Sequence, residues 1–104
     1  MSLFSILRGP DVNRGVEEFR AVPGAVLLDV RERDEYAQGH IPGGVNLPLS
    51  ELEEGAASLD KAAPLFVYCL SGGRSSRAAA MLKAMGFTVK DIGGISAWKG
   101  EIEK

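Results

Sequence analysis

The fold of this chain is decided by the stretch Leu65-Phe66-Val67-Tyr68-Cys69-Leu70-Ser71-Gly72-Gly73-Arg74-Ser75. Its first five residues form a continuous apolar run, which is typical of a strand that a parallel sheet buries on both faces. A glycine-rich turn follows, and from Ser75 to Gly86 apolar residues recur at helical spacing, namely Ala78, Met81, Leu82 and Met85. The stretch therefore predicts a strand, a tight turn and a helix, with Cys69 at the end of the strand.

The alternation of strands and helices continues on both sides of this stretch. Further strands are predicted at residues 3–7, 25–30, 45–47 and 87–92, and Gly93-Gly94 is predicted to turn the chain after the last of them. Helices are predicted after Asp11 as an N-cap, over residues 33–38, and from a capping box of Ser50 and Glu53. We therefore expect one α/β domain over residues 1–104, with a mainly parallel sheet of about five strands and helices on both faces. Residues 1–10 form an N-terminal segment without a clear assignment.

Composition narrows the function classes. The chain has 104 residues, of which 45% are hydrophobic and 25% charged, and this is ordinary for one globular domain. A net charge of -2 gives no electrostatic attraction for nucleic acid or acidic membranes. No apolar stretch approaches the ~20 residues of a membrane span, and the first residues lack the features of a signal peptide. With one cysteine and one histidine we expect no internal disulfide, no metal site and no cofactor, and a cytoplasmic location.

Cys69 is the strongest candidate for a reactive group. A cysteine reacts as the thiolate, and successive backbone N–H groups at the start of a helix stabilise an anion. Gly72 and Gly73 allow the backbone to curl so that these groups converge. Arg74 is expected to hold the shape of the loop or to meet an anionic substrate, and Ser75 to cap the helix or offer its hydroxyl to the sulfur. The alternative is a buried and inert structural thiol.

A second polar group is predicted at the same edge of the sheet. Asp29 lies at the end of the predicted strand at residues 25–30, and ligands of parallel sheets bind at the carboxyl ends of strands. Asp29 is either a simple helix cap or a brace between neighbouring loops, acting through Arg31. His40, the only histidine, is a weaker candidate for a base that would act on Cys69.

Five segments carry a resemblance to a known family. The loop at residues 69–75 resembles the active-site loop of the rhodanese sulfurtransferases. Leu28-Asp29-Val30-Arg31-Glu32, Glu35-Tyr36 and the stretch from Gly39 to Asn46 resemble the first signature of that family, and Gly93-Gly94-Ile95-Ser96-Ala97-Trp98 resembles its C-terminal signature. The resemblance covers roughly residues 11–100 and indicates the single-domain form of the family.

The resemblance implies sulfur transfer by covalent catalysis. Cys69 would take the outer sulfur of a donor such as thiosulfate as a persulfide, and cyanide or a thiol would then collect it. Leu70, Ser71, Gly72, Gly73, Arg74 and Ser75 would form the active-site loop, Asp29 and Arg31 would support it, and His40 would belong to a structural turn. The implied partners are small-molecule donors and acceptors, with a sulfur-relay protein as a further candidate, and neither nucleic acid nor a membrane.

Several alternatives stay open at this point. Cysteine phosphatases place arginine six positions after the cysteine, where this chain has Ser75, so phosphate hydrolysis is a minor alternative. Leu70-Ser71-Gly72-Gly73 matches the start of the ABC ATPase signature, but the chain has no GxxxxGK[ST] loop. A non-catalytic binding or regulatory module, or a sulfur carrier fed by a protein partner, would keep the same loop. The donor is open too, because no charged residue lies between Cys69 and Arg74.

Overall fold

The computed structural model of the protein describes residues 9–104. In this range the chain alternates strands with helices, and the order of the elements follows the sequence analysis. The strands are β1 Val26–Asp29, β2 Gly44–Asn46, β3 Leu65–Cys69 and β4 Val89–Gly94. The helices are α1 Val12–Ala21, α2 Arg33–Gln38, α3 Leu52–Gly55 and α4 Gly73–Ala84, with short 3-10 turns at Leu49–Glu51, Ala56–Ser58 and Ile95–Ala97.

The strands form one parallel sheet in the order β2-β1-β3-β4. The prediction of an α/β fold with a parallel sheet is therefore confirmed. Four strands lie in the described residues, one fewer than the number expected from the sequence. The fifth predicted strand, at residues 3–7, lies outside the described residues.

Helices cover both faces of the sheet, as predicted. Consecutive residues of a strand point to opposite faces, so Leu27 and Leu28 of β1 belong to different halves of the core. On one face Leu27 joins a cluster with Val12 and Val16 of α1. On the other face Leu28 joins a cluster that includes Leu82 of α4. Burial on both faces explains why the strands read as continuous apolar runs in the sequence.

The predicted capping box and the predicted glycine turn are wrong, and both fail through contacts between elements distant in sequence. The capping box of Ser50 and Glu53 does not form: Ser50 lies in the 3-10 turn, its hydroxyl donates to the carboxylate of Glu32, and α3 begins at Leu52. Gly93-Gly94 does not turn the chain after the last strand, because both glycines belong to β4. There the register with β3 slips after Val67, and this β-bulge keeps the glycines paired with the end of β3.

The helices differ from membrane-spanning segments. None of the helices in the described residues combines the length and the hydrophobicity that crossing a bilayer requires.

Candidate active site

The site lies at the carboxyl ends of β1 and β3, which are neighbours in the sheet. Asp29 ends β1 and pairs with Tyr68, and the next residue of β3 is Cys69. The parallel register therefore brings the two polar groups predicted from the sequence to the same edge of the sheet. Each is followed by a loop that leads into a helix, α2 after Asp29 and α4 after Cys69.

The loop of residues 69–75, named here the Cys69 loop, wraps backbone donors around the sulfur. Cys69 is 1% exposed, and the N–H of Gly72 donates a hydrogen bond to its Sγ at 3.0 Å. Gly72 is the N-cap of α4 and has φ of 113°, a backbone conformation that a side chain disfavours. The helix thus begins at Gly73, two residues before Ser75, so the cap predicted at Ser75 is wrong.

Burial and hydrogen bonding act on the Cys69 thiol in opposite directions. Burial raises the pKa of the thiol, since it removes solvent from the thiolate. Hydrogen bonds from the Ser75 hydroxyl and from the backbone N–H groups of Ser75, Gly72 and Ser71 outweigh burial, and the pKa is lowered. Among residues 9–104 no cationic side chain bonds to this sulfur, so the loop stabilises a sulfur anion with uncharged donors.

The Ser75 hydroxyl completes this set of donors. Its oxygen lies 3.5 Å from Sγ of Cys69, 3.1 Å from the carbonyl oxygen of Gly72 and 3.3 Å from that of Gly93. A hydroxyl has one hydrogen, and a carbonyl can only accept. When Cys69 is a thiol, Ser75 can donate to a carbonyl and accept from the S–H group. After deprotonation, rotation of the hydroxyl turns its hydrogen towards the thiolate.

The bulged end of β4 supports the Cys69 loop from behind. Gly94 pairs with Cys69, and a Cβ atom at Gly94 would lie 2.1 Å from the carbonyl oxygen of Leu70. The same carbonyl accepts a hydrogen bond from the N–H of Ser96 at 3.0 Å. Only a glycine therefore allows the loop backbone to lie this close to β4.

Gly94→Ala is expected to displace the loop. The obstacle is backbone, which cannot move away like the end of a side chain, so the donors around Cys69 should lose their alignment. We expect the pKa of the Cys69 thiol to rise, and its alkylation by iodoacetamide near neutral pH to slow by about tenfold. The rate of alkylation as a function of pH gives both the pKa of the thiol and its reactivity near neutral pH.

Gly55→Ala is the matched control for this prediction. Its Cβ would crowd the end of the Leu47 side chain at 2.3 Å, away from the loop. This variant should lose some stability and keep the thiol pKa of the wild type. An unchanged alkylation profile in Gly94→Ala would show that Gly94 does not position the loop.

Arg74 does not point a free charge at the sulfur, because it is bound by Glu35. Its two terminal nitrogens donate to the two carboxylate oxygens of Glu35 at 2.6 and 3.0 Å. Glu35 lies in α2 and also accepts a hydrogen bond from the N–H of Glu32 at 2.9 Å. The pair ties the Cys69 loop to the helix that follows β1, so the geometry favours the loop-holding role of the two roles considered for Arg74.

The ion pair predicts a specific dependence of stability on pH. The hydrogen bonds from Arg74 hold the pKa of Glu35 at about 2, below its ordinary value of 4.5. A carboxyl whose pKa is lowered by folding stabilises the fold above its unfolded pKa, and this contribution is lost as the pH falls through the folded pKa. The difference in melting temperature between wild type and Glu35→Gln should be constant above about pH 5 and shrink between about pH 4.5 and 2.

Thermal unfolding as a function of pH tests this prediction. Glu53→Gln serves as the control, because Glu53 is exposed and makes no ion pair within residues 9–104. A difference in melting temperature between wild type and Glu35→Gln that stays constant down to pH 2 would contradict the assigned ion pair.

Asp29 and Arg31 form a buried ion pair beside the loop. They are 0% and 5% exposed, and Nε and a terminal nitrogen of Arg31 donate to the carboxylate at 2.8 to 3.1 Å. The same terminal nitrogen donates to the carbonyl of Gly39 at 2.7 Å, and the side-chain amide of Asn46 donates to the carbonyls of Asp29 and Arg31. These bonds connect the end of β1, the end of α2 and β2. This is the arrangement expected of a pair that holds neighbouring loops together.

His40 is held away from a role as a base. One ring nitrogen lies 3.0 Å from the carbonyl oxygen of Tyr36, and the other lies 3.2 Å from the carboxylate of Glu103. The ring stacks on that of Tyr36 with 3.8 Å between the centroids. Because both nitrogens have other partners, the geometry favours a structural role in the turn.

Three residues of this region carried no predicted role, namely Glu35, Asn46 and Gly94. The sequence predicts Glu35 within a helix, but its partner Arg74 is 39 positions away, and no local pattern links the two. The sequence predicts Asn46 within a strand, and its hydrogen bonds reach back to β1. Gly94 belongs to the stretch that resembles the C-terminal signature of the family, but as one of a glycine pair it indicates only a turn.

Comparison with known proteins shows which domain family the chain and its fold resemble. The rhodanese-like domain profile matches residues 13–101. The chain is 40% identical over 79 residues to the putative sulfur carrier protein YrkF of Bacillus subtilis, covering 74% of this chain and 43% of YrkF. It is 37% identical over 76 residues to the thiosulfate sulfurtransferase GlpE of Coxiella burnetii, covering 71% of each. Its fold matches the crystal structure of a rhodanese-like domain protein from Staphylococcus aureus with a TM-score of 0.80 and 25% identity, covering 90% of this chain and 94% of that one.

Proposed function

The chain belongs to the rhodanese-like domain family of sulfurtransferases, and on this premise we propose that it transfers sulfur through a persulfide on Cys69. The donor is a sulfane sulfur compound such as thiosulfate, and the acceptor is cyanide or a thiol. The observation that carries the proposal is the Cys69 loop, in which a buried sulfur accepts a hydrogen bond from Gly72 and has a lowered pKa.

The first half-reaction loads the cysteine. The Cys69 thiolate attacks the outer sulfur of the donor, a new S–S bond forms, and the bond between the two sulfurs of thiosulfate breaks. Sulfite leaves with the electron pair, so the enzyme gains one sulfur atom and keeps one negative charge. The negative charge is on the thiolate before the step and on the persulfide after it. The backbone donors at Gly72, Ser71 and Ser75 can stabilise both anions, which supports the Cys69 loop as the site of the reaction.

The second half-reaction returns the thiolate. An acceptor nucleophile attacks the outer sulfur of the persulfide, and the S–S bond to Cys69 breaks with its electron pair returning to the cysteine. Cyanide is converted into thiocyanate, and an acceptor thiol is converted into a persulfide. In this scheme Arg74 with Glu35, and Arg31 with Asp29, are positioning residues that keep the loops at the sheet edge in place. As written, the two half-reactions balance without a metal or cofactor.

The test is the rate of thiocyanate formation from thiosulfate and cyanide. A ping-pong mechanism predicts parallel double-reciprocal plots when one substrate is varied at several concentrations of the other. Intersecting lines would contradict a covalent intermediate, and an absence of turnover with every donor and acceptor tried would contradict the enzymatic proposal.

A sulfur carrier is the second candidate, and one observation favours it. The relative YrkF is named a putative sulfur carrier protein, and the chain spans 43% of its length. A carrier would form the persulfide readily from a protein donor and pass it poorly to cyanide, so loading without turnover distinguishes it from the enzyme. A binding or regulatory module would show neither loading nor turnover.

We also propose that the protein works in the cytoplasm. A mechanism that depends on one free thiol and its persulfide requires a compartment where thiols stay reduced. Immunodetection after cell fractionation tests this location, and recovery in an oxidising compartment would contradict it.

A further inference from the structure

The positive charge nearest to the reactive sulfur in sequence is already neutralised. Arg74 is the only cationic residue of the Cys69 loop, and both of its terminal nitrogens bind the carboxylate of Glu35. The groups that stabilise the sulfur itself are a hydroxyl and backbone N–H groups, which carry no net charge. Within the Cys69 loop a donor therefore meets dipoles and an ion pair, and the next cation along the chain is Arg77, one turn further into α4.

The residues that directly follow Cys69 are uncharged, and one of them is apolar and exposed. Leu70 is 45% exposed. Ser71, Gly72 and Gly73 contribute no charge. Such a border favours a donor with an organic group over a small, strongly hydrated anion.

Charge decides between the donor classes. The attacking group is a thiolate, so a donor with two negative charges is repelled about twice as strongly as a donor with one. A free arginine would offset this repulsion, whereas an arginine paired with a carboxylate contributes little net field. Glu35 thus controls how much of the charge of Arg74 reaches the donor.

We propose that Glu35 is a specificity-determining residue, which neutralises Arg74 and so selects sulfane sulfur donors with a single negative charge over the thiosulfate dianion. The class comprises organic persulfides and thiosulfonates. This inference rests on the proposed sulfur transfer through Cys69. With a thiosulfonate, the thiolate takes the outer sulfur and a sulfinate leaves with the electron pair; with a persulfide, a thiolate leaves instead.

The test compares two donors that differ in charge but not in the sulfur they transfer. Thiosulfate carries two negative charges, and methanethiosulfonate replaces one charged oxygen by a methyl group. We would measure the second-order rate constant for loading Cys69 with each donor, in wild type and in Glu35→Gln, at several ionic strengths. Glu18→Gln is the matched control, because it breaks the Glu18–Lys90 ion pair, and Lys90 lies four positions before Gly94 in β4.

Wild type is expected to load faster from methanethiosulfonate than from thiosulfate. In Glu35→Gln the preference should shrink by about tenfold, since the released Arg74 attracts the dianion more than the monoanion. Loss of the loop-holding pair can slow both donors, so the ratio of the two loading rate constants is the readout, and thiosulfate loading should become more sensitive to salt. Glu18→Gln should keep the preference of the wild type.

Three results would overturn the inference. Equal slowing of both donors in Glu35→Gln would mean that Glu35 only maintains the loop. A wild-type preference for thiosulfate that falls steeply with salt would mean that the site already presents a free cation. If neither donor loads wild type, the proposed function fails and the inference fails with it, whereas loading with an unchanged preference removes the inference alone.

Discussion

Cys69→Ser is expected to abolish sulfur loading, with a fall of at least about a thousandfold in the rate of thiocyanate formation. An alcohol is a far weaker acid than a thiol, so the donors around position 69 would no longer generate an anionic nucleophile at neutral pH. A serine also cannot form a persulfide. The rate of thiocyanate formation and the mass of the donor-treated variant measure the effect.

The same variant is expected to fold. The hydroxyl of serine can accept the hydrogen bond that Gly72 donates to Sγ, and the smaller atom fits the buried position. We expect a change of about 1 kcal/mol or less in the free energy of unfolding, measured with urea. Loading that persists in a folded Cys69→Ser protein would show that another group is the nucleophile.

Asp29→Asn is expected to cost about 3 to 5 kcal/mol of unfolding free energy. The substitution preserves the shape of the side chain but leaves the buried guanidinium of Arg31 without its counter-charge. The brace between the end of β1 and the carbonyl of Gly39 would weaken at the same time. Urea unfolding of the two proteins measures the loss.

Two further variants make the test of Asp29 decisive. Glu18→Gln removes one partner of an exposed ion pair and should cost less than about 1 kcal/mol. If Asp29→Asn fails to fold, the double variant Asp29→Asn with Arg31→Met removes the unpaired charge and should recover part of the stability. A loss in Asp29→Asn no larger than in Glu18→Gln would contradict the structural role assigned to the pair.

Two elements have the same ends in the structure as in the sequence analysis. The apolar run at residues 65–69 is β3 without any shift of its ends, and the helix predicted at residues 33–38 coincides with α2. A strand that is buried on both faces has apolar residues at every position. The ends of the apolar run therefore mark the ends of the strand. The family resemblance is confirmed as well, because the profile match covers most of the stretch from which it was inferred.

The sequence fails where the structure depends on contacts between distant residues. Gly93-Gly94 is a turn signal in isolation, yet the bulge opposite Val67 keeps both glycines in β4 and against the Cys69 loop. Ser50 and Glu53 have capping-box spacing, but Ser50 bonds to Glu32 in the loop before α2. Arg74 reads as a free cation until its bond to Glu35 is seen. Local sequence patterns cannot reveal such pairings, because the residues that flank each partner in the sequence do not indicate the other partner.

The most direct measurement of the central claim is the intact mass of the reduced protein after exposure to thiosulfate and, separately, to methanethiosulfonate. We predict a gain of one sulfur atom, located on the peptide that contains Cys69, removed by cyanide and absent in Cys69→Ser. A protein that stays at its unmodified mass with both donors, while its thiol remains free to react with iodoacetamide, would contradict the assignment of Cys69 as the carrier of transferred sulfur.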